Sequence, residues 1–274
     1  MNSPAKPLLQ VEGLTRRFGG IIANNDVSFD VAQGSITALI GPNGAGKTTV
    51  FNCITGFYRA SAGKITLWDQ DQSVEVGDLL SRPFTGGSYL VARAGIARTF
   101  QNIRLFSDMT VLENLLVAQH RRLDGNLIRG MMASASFLNK EHDALDKAYH
   151  WLDIMDLRRD ANKLAGELSY GRQRRLEIAR SMCTSPRLIC LDEPAAGLNP
   201  SETEQLSELI QRLRDEHNVT ILLIEHDMGL VMEVSEHIVV LDYGQVIAAG
   251  DPDSVRDAPA VIAAYLGTDT EETT

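Results

Sequence analysis

Cysteine is scarce in this 274-residue chain, which holds only Cys53, Cys183 and Cys190. Their spacing suits neither a disulfide framework nor a metal site, so they are expected to be buried packing residues. Long apolar runs are also missing. No stretch reaches the roughly 18–20 consecutive apolar residues of a membrane-spanning helix. The longest, such as Val219–Ile224 and His237–Leu241, have the length of strands. Met1–Leu8 lacks the apolar core of a signal peptide, and a cytosolic placement is expected from it. Basic charge is in deficit: 26 Lys and Arg against 36 Asp and Glu give a net charge of −10. That balance argues against nonspecific binding to nucleic acid or anionic lipid, both of which need a basic surface. Internal repeats and low-complexity tracts are absent as well. What remains is 44% hydrophobic and 23% charged, a globular balance. The length suits one domain with a subdomain.

Strand signals open the chain at Leu8–Val11, Val27–Val31 and Ser35–Ile40, separated by glycine-containing turns. The last runs straight into a glycine-rich loop, and Lys47–Gly56 follows with helical patterning. Gly63–Trp68 reads as another strand. Asp69–Ala92, polar and rich in glycine, reads as a surface hairpin or loop. From residue 102 to 183 the strand signals nearly vanish. Val111–His120, Lys140–Leu157 and Arg172–Cys183 carry apolar residues at helical spacing, which predicts a helical subdomain. Strands then return at Arg187–Leu191, Thr220–Ile224, His237–Leu241 and Gln245–Ala249. Between the first two lies an amphipathic helix, Ser201–Glu216, with Leu206, Leu209, Ile210 and Leu213 on one face. Asn199 as cap and Pro200 at the first position begin it. Alternating strands and helices predict a parallel α/β sheet. The polar tail 268–274 is expected to be disordered.

One motif is sharply specific. Gly41, Pro42, Asn43, Gly44, Ala45, Gly46, Lys47 and Thr48 fit G-x-x-x-x-G-K-[ST], with a second threonine at Thr49. Glycines let successive backbone N–H groups curl around a β-phosphate, and the following helix aims its positive end at it. Lys47 can reach the β- and γ-phosphates, and the Thr48 hydroxyl can ligate Mg²⁺. The match lies between a predicted strand and a predicted helix, as its mechanism requires. A second signal is the apolar strand Leu188–Leu191 ending in Asp192 and Glu193. Acids at strand ends are common, but beside a phosphate loop they suit two tasks. Asp192 fits the Mg²⁺ shell, and Glu193 fits a general base that polarises the attacking water.

With these residues in hand, the chain resembles the ABC transporter ATPase family from Leu8 to Leu266. The resemblance implies a P-loop NTPase fold: an α/β, RecA-like parallel-sheet core, an N-terminal antiparallel β-subdomain and an inserted α-helical subdomain. It implies a single ATPase domain over 7–267, with core segments at about 7–100 and 184–267 and the helical subdomain at about 101–183. Gln101 matches the glutamine at the entrance to that subdomain, which contacts Mg²⁺ and water. Leu168-Ser169-Tyr170-Gly171-Arg172-Gln173 resembles the signature sequence, whose Ser169 hydroxyl and Gly171 backbone would reach a γ-phosphate on a second subunit. Tyr170 and Arg172 depart from the commonest form, L-S-G-G-Q. Gly197–Pro200 resembles the loop that crosses the dimer interface, with Asn199 where aspartate is more usual. A lone histidine is more often structural, but His226, after the strand Thr220–Ile224, resembles the switch histidine that binds the γ-phosphate. Phe18 matches the aromatic that stacks on adenine, although it could equally pack under the sheet.

Ala97–Phe106, Leu168–Glu177, Glu193–Pro200, Ile224–Met228 and Ile262–Gly267 resemble the longer ATPase of branched-chain amino acid importers. Urea or amide importers and a lipopolysaccharide exporter's ATPase are similar too. The resemblance implies ATP and Mg²⁺ as cofactors. It implies as partners a second related ATPase, two transmembrane permeases and an extracytoplasmic binding protein, at the cytoplasmic face of the plasma membrane. Leu105, Phe106 and Met109 suit either core packing or a pocket for a permease helix. A non-transport ABC ATPase acting on ribosomes or DNA would carry a second cassette or a long coiled coil, and neither is present.

Overall fold

A computed structural model describes residues 7–70, 72–83, 85–119 and 135–266. The expected tail at 268–274, Gly267 and the His120 end of the first subdomain helix lie outside the described residues. Two sheets organise the chain. The larger has six strands in the order β10-β9-β3-β8-β7-β6: Gln245–Gly250, His237–Asp242, Ile36–Ile40, Thr220–Ile224, Leu188–Asp192 and Ile96–Arg98. The five from β9 to β6 are parallel, and β10 pairs antiparallel with β9. The smaller sheet is antiparallel, in the order β2-β1-β4-β5: Ile21–Ala32, Pro7–Phe18, Ala62–Asp69 and Gln72–Glu75.

The central strands are buried on both faces, so alternate residues feed different cores. Ile189, Leu191, Ile221 and Leu223 face one cluster, with helices α4 (Val111–Gln119), α5 (Ala135–Ile154), α6 (Tyr170–Met182) and α7 (Pro200–Asp215). Leu188, Cys190, Leu222 and Ile224 face the other. There they meet α1 (Lys47–Ile54) and the inner face of the antiparallel sheet, through Leu9, Val11, Val27 and Val31. All three cysteines are buried and free. Burial pushes the Cys53 thiol up to about 11 and those of Cys183 and Cys190 up to about 12, which keeps them inert.

β1 and β2 run far beyond the short strands the pattern predicts, as a 12-residue hairpin on each side. Register shifts near Val11–Arg16, with Gly13 at φ 61°, break the alternation that a sequence pattern relies on. Asp69–Ala92 is only partly the surface hairpin or loop expected of it. β5 does pair with β4, but two short helices follow, α2 (Val76–Ser81) and α3 (Ser88–Arg93). Val76, Leu79 and Val91 anchor them in the core, and each helix is too short to show a period. β6 also escapes the sequence pattern, being three residues long. Asn199 caps α7 as expected: its side chain accepts from the Glu202 N–H while Glu202 returns the bond to the Asn199 N–H.

Candidate nucleotide site

The register of the core sheet places the predicted residues on one edge. Leu39, Ile224 and Asp192 lie level on β3, β8 and β7. Gly41, Glu193 and His226 follow within two residues, at the carboxyl ends of parallel strands where α/β sheets bind ligands. Between β3 and α1 the loop is held by close backbone approach. Gly41 lies at φ 146°, and a Cβ there would fall 2.0 Å from the Leu241 carbonyl. Gly46 lies at φ 96°, and a Cβ would meet the Ala23 carbonyl at 2.6 Å. Asn24 of β2 donates to the Gly46 carbonyl at 3.3 Å, and the Gly244 N–H to the Ala45 carbonyl at 3.1 Å. The loop is thus seated between β9 and the antiparallel sheet, with Asn43, Gly44 and Thr48 exposed and Pro42 and Thr49 partly so. The first amides of α1 have no carbonyl within the helix to bond, which leaves them free to bond an anion.

The Lys47 ammonium donates to the carbonyls of Gly41 and Pro42 at 2.6 and 2.9 Å. Burial lowers its pKa from the ordinary lysine value, while Glu193 and Asp192 nearby pull it back up. Glu193 sits at φ 45°, in the left-handed region, at a cost of about 1–3 kcal/mol for a side-chain-bearing residue. That turn takes the chain out of β7 and aims the carboxylate at Gln101, whose Nε2 donates to Glu193 Oε2 at 2.7 Å. Glu193 and Gln101 are 92 residues apart in sequence, so the fold alone brings them together. The His226 side chain is 66% exposed, at the end of β8. Phe18 ends β1, 38% exposed, in edge contact with Tyr58 at 5.2 Å, and the Arg16 guanidinium lies over its ring at 4.4 Å.

Ser169 and Gly171 line a cleft to which the phosphate loop contributes no residue. Ser169 is the exposed N-cap residue of α6, and Gly171 packs so closely on Glu202 that a Cβ would meet its carboxylate at 2.7 Å. The cleft of about 230 Å³ beside them is lined by residues such as Arg175, Leu198 and Gln205, and by none from 41–49. The Tyr170 ring rests on Gly197, whose φ of 81° suits glycine.

The ABC transporter family model matches residues 24–196, more than half of the chain. The chain belongs to the ABC transporter family. A second family, the branched-chain amino acid ATP-binding cassette transporters, matches residues 245–271. The chain is 52% identical over 263 residues to the high-affinity branched-chain amino acid transport ATP-binding protein BraF of Pseudomonas aeruginosa. That alignment covers 96% of this chain and 99% of the relative. The protein of the same description from Escherichia coli K12, LivG, is 52% identical over the same coverage. Among solved structures, the ADP conformation of an ATP-binding cassette of an ABC transporter superimposes with a TM-score of 0.79 at 31% identity. It covers 96% of this chain and all of the other. This ABC protein is therefore an ATPase subunit of a transporter, with the P-loop NTPase fold and a site for adenine nucleotide. Among the described residues no helix is long and apolar enough to cross a membrane.

Two charged side chains of this ABC ATPase escape a reading of the sequence. Arg98, at the tip of β6, forms a buried ion pair with Asp192 Oδ2 at 2.6 Å, with side chains only 7% and 6% exposed. Its other arm meets Asn52 and Thr55 at 2.5 and 3.3 Å. Glu225, fully buried, accepts from the Ala195 N–H at 2.7 Å and the His226 N–H at 3.1 Å, which ties the turn after Glu193 to the histidine. Burial raises its pKa, and the backbone N–H bonds oppose the rise. The only local signal for either was a charge beside a strand end. Arg98→Met removes one partner of a buried pair and strands the Asp192 carboxylate. The expected loss of stability is about 3–5 kcal/mol, measured by urea unfolding. A loss under about 1 kcal/mol would mean that water reaches Asp192 freely.

Proposed function

We propose that this chain binds Mg²⁺-ATP at the edge formed by β3, β7 and β8, hydrolyses it as half of an ATPase dimer, and so drives import of branched-chain amino acids. The observation that carries the cargo assignment is the 52% identity, nearly end to end, to branched-chain amino acid transport ATP-binding proteins. The backbone N–H groups of the loop after Pro42 and the Lys47 ammonium bind the phosphates, and Phe18 stacks on the adenine. Thr48, Gln101 and Asp192 supply oxygen donors of the hard kind that Mg²⁺ takes. Among the described residues no group of three or more His, Cys, Asp or Glu side chains is placed to hold a metal ion. That suits an ion held by one carboxylate together with the nucleotide's own phosphates. When bound, the ion supplies neutralisation of phosphate charge.

Glu193 accepts the proton of the attacking water, and Gln101, hydrogen-bonded to it, holds the base in place. His226 hydrogen-bonds the γ-phosphate. Ser169 and Gly171, beside a cleft that no phosphate-loop residue lines, complete the site of the neighbouring subunit, so ATP binding favours the closed dimer by differential affinity. The neighbour is a paralogous ATPase. The remaining partners are two permeases, which hold the chain at the cytoplasmic membrane face, and an extracytoplasmic binding protein. A groove of about 320 Å³ lined by Phe57, Tyr89, Phe100, Arg98 and Arg180 suits an apolar permease helix. Leu105 instead packs against the core and Met109 is half-buried, while Phe106 stands 50% exposed with Arg180 over its ring.

Solubilised membranes provide the test. A tag on this chain is expected to recover a second ATPase and two permeases, identified by mass spectrometry. Recovery of ribosomal or DNA-repair proteins without a permease would leave the ATPase chemistry standing and overturn the import assignment.

A further inference from the structure

Among the described residues, the largest fully buried side chain is an arginine. Arg174, in the second turn of α6, is paired with Glu177 at 2.8 Å, and both side chains are 1% exposed. A buried pair of this kind is a weak source of stability, because desolvation offsets most of the attraction. Its bonds reach elsewhere. Arg174 Nη1 donates to the Phe100 carbonyl at 2.7 Å and Nη2 to the Gln101 carbonyl at 2.8 Å. Glu177 Oε1 accepts the Phe100 N–H and the Arg104 N–H, both at 3.3 Å. Four backbone groups of the segment 100–104 therefore end on one ion pair. Arg174 Nη2 also donates to the Tyr170 hydroxyl at 3.2 Å, and the Tyr170 ring rests on Gly197. Burial raises the Glu177 carboxyl, and Arg174 with the two amides pulls it back down.

A path of contacts follows from these bonds. It runs from the Glu193 carboxylate to the Gln101 side chain, through the Gln101 carbonyl to Arg174, and on to Tyr170 beside Ser169 and Gly197. We propose that the Arg174–Glu177 pair is a positioning device for hydrolysis, which clamps the Gln101 loop to the first two turns of α6. Gln101, which serves this chain's own nucleotide, and Ser169, which serves the neighbour's, then move as one body. The inference rests on the roles given above to Gln101, Glu193 and Ser169. Placing a reacting group a fraction of an ångström away is enough to slow chemistry without changing nucleotide affinity.

The pair can be removed without stranding a charge. Arg174→Met with Glu177→Met replaces both ions by apolar groups, a change that buried pairs often tolerate. In the transporter complex purified through this chain, kcat is expected to fall by at least about tenfold, with KM for ATP within about twofold. A merely structural pair would leave kcat unchanged wherever Tm stays within about 4 °C, and that result overturns the proposal. Should the double variant fail to fold, Arg174→Lys keeps the charge but replaces the planar fork by a point donor. It is expected to lower kcat in the same direction, and an unchanged kcat is again fatal. In the wild-type chain, the Phe100 and Arg104 amides are expected to exchange hydrogen together with the amides of α6. Exchange at the rate of an open loop contradicts the clamp. Glu193→Gln, assayed alongside, separates the two claims. An inactive Glu193→Gln with an unimpaired double variant removes the clamp alone, whereas an active Glu193→Gln removes the base assignment beneath it.

Discussion

Glu193→Gln is expected to lower kcat by about 10²–10⁴-fold, the range a positioned general base contributes. ATP should remain bound, because the phosphate-binding amides and Lys47 are untouched. The substitution is a clean one in this fold. The new side chain has nearly the same size, and its amide oxygen still accepts from Gln101 Nε2, so the 2.7 Å contact has a partner in the variant. The backbone at φ 45° is asked of either residue equally. What disappears is the capacity to take a proton from water. Single-turnover hydrolysis of labelled ATP, with nucleotide retention followed by filter binding, checks both halves. A wild-type rate in the variant means another group acts as base.

Ser169→Ala is expected to cost about 10²-fold or more in hydrolysis, the scale for removing one oriented donor from a developing charge. Binding of ATP by the isolated chain should be unchanged. The reason lies in where Ser169 stands: exposed at the start of α6, beside a cleft to which no residue of the phosphate loop contributes. Its hydroxyl makes no capping bond in α6, so the helix loses no cap with it. Loss of ATP binding by the isolated variant would place Ser169 in the chain's own site and break the split-site account.

Much of the site was legible because its signals are contiguous. The run Gly41–Thr48 carries its own mechanism, and Asp192 with Glu193 ends a strand too apolar to misread. Gln101, Ser169 and His226 emerged only through resemblance, since one polar residue on a strand end or helix start has no chemistry of its own. The register of β3, β8 and β7 explains why Glu193 and His226 share an edge with the loop. Burial of charge was harder to foresee. In α6, positions 174, 177, 178 and 181 follow the i, i+3, i+4, i+7 spacing of a core-facing stripe. All four are buried, yet two of them are Arg and Glu, which a hydrophobic pattern counts as solvent-facing. Arg98 and Glu225 were hidden for the same reason: their partners, Asp192 and the Ala195 amide, lie 94 and 30 residues away. The short helices of 76–93 failed differently, each giving one turn and a half with no period to detect.

Leucine transport tests the central claim most directly. The complex captured through this chain would be reconstituted in proteoliposomes, with its binding protein on one side and Mg²⁺-ATP on the side bearing this chain. The account predicts ATP-dependent movement of labelled leucine toward the ATP side, stopped by Glu193→Gln. Steady ATP hydrolysis with no movement of leucine, isoleucine or valine would contradict it.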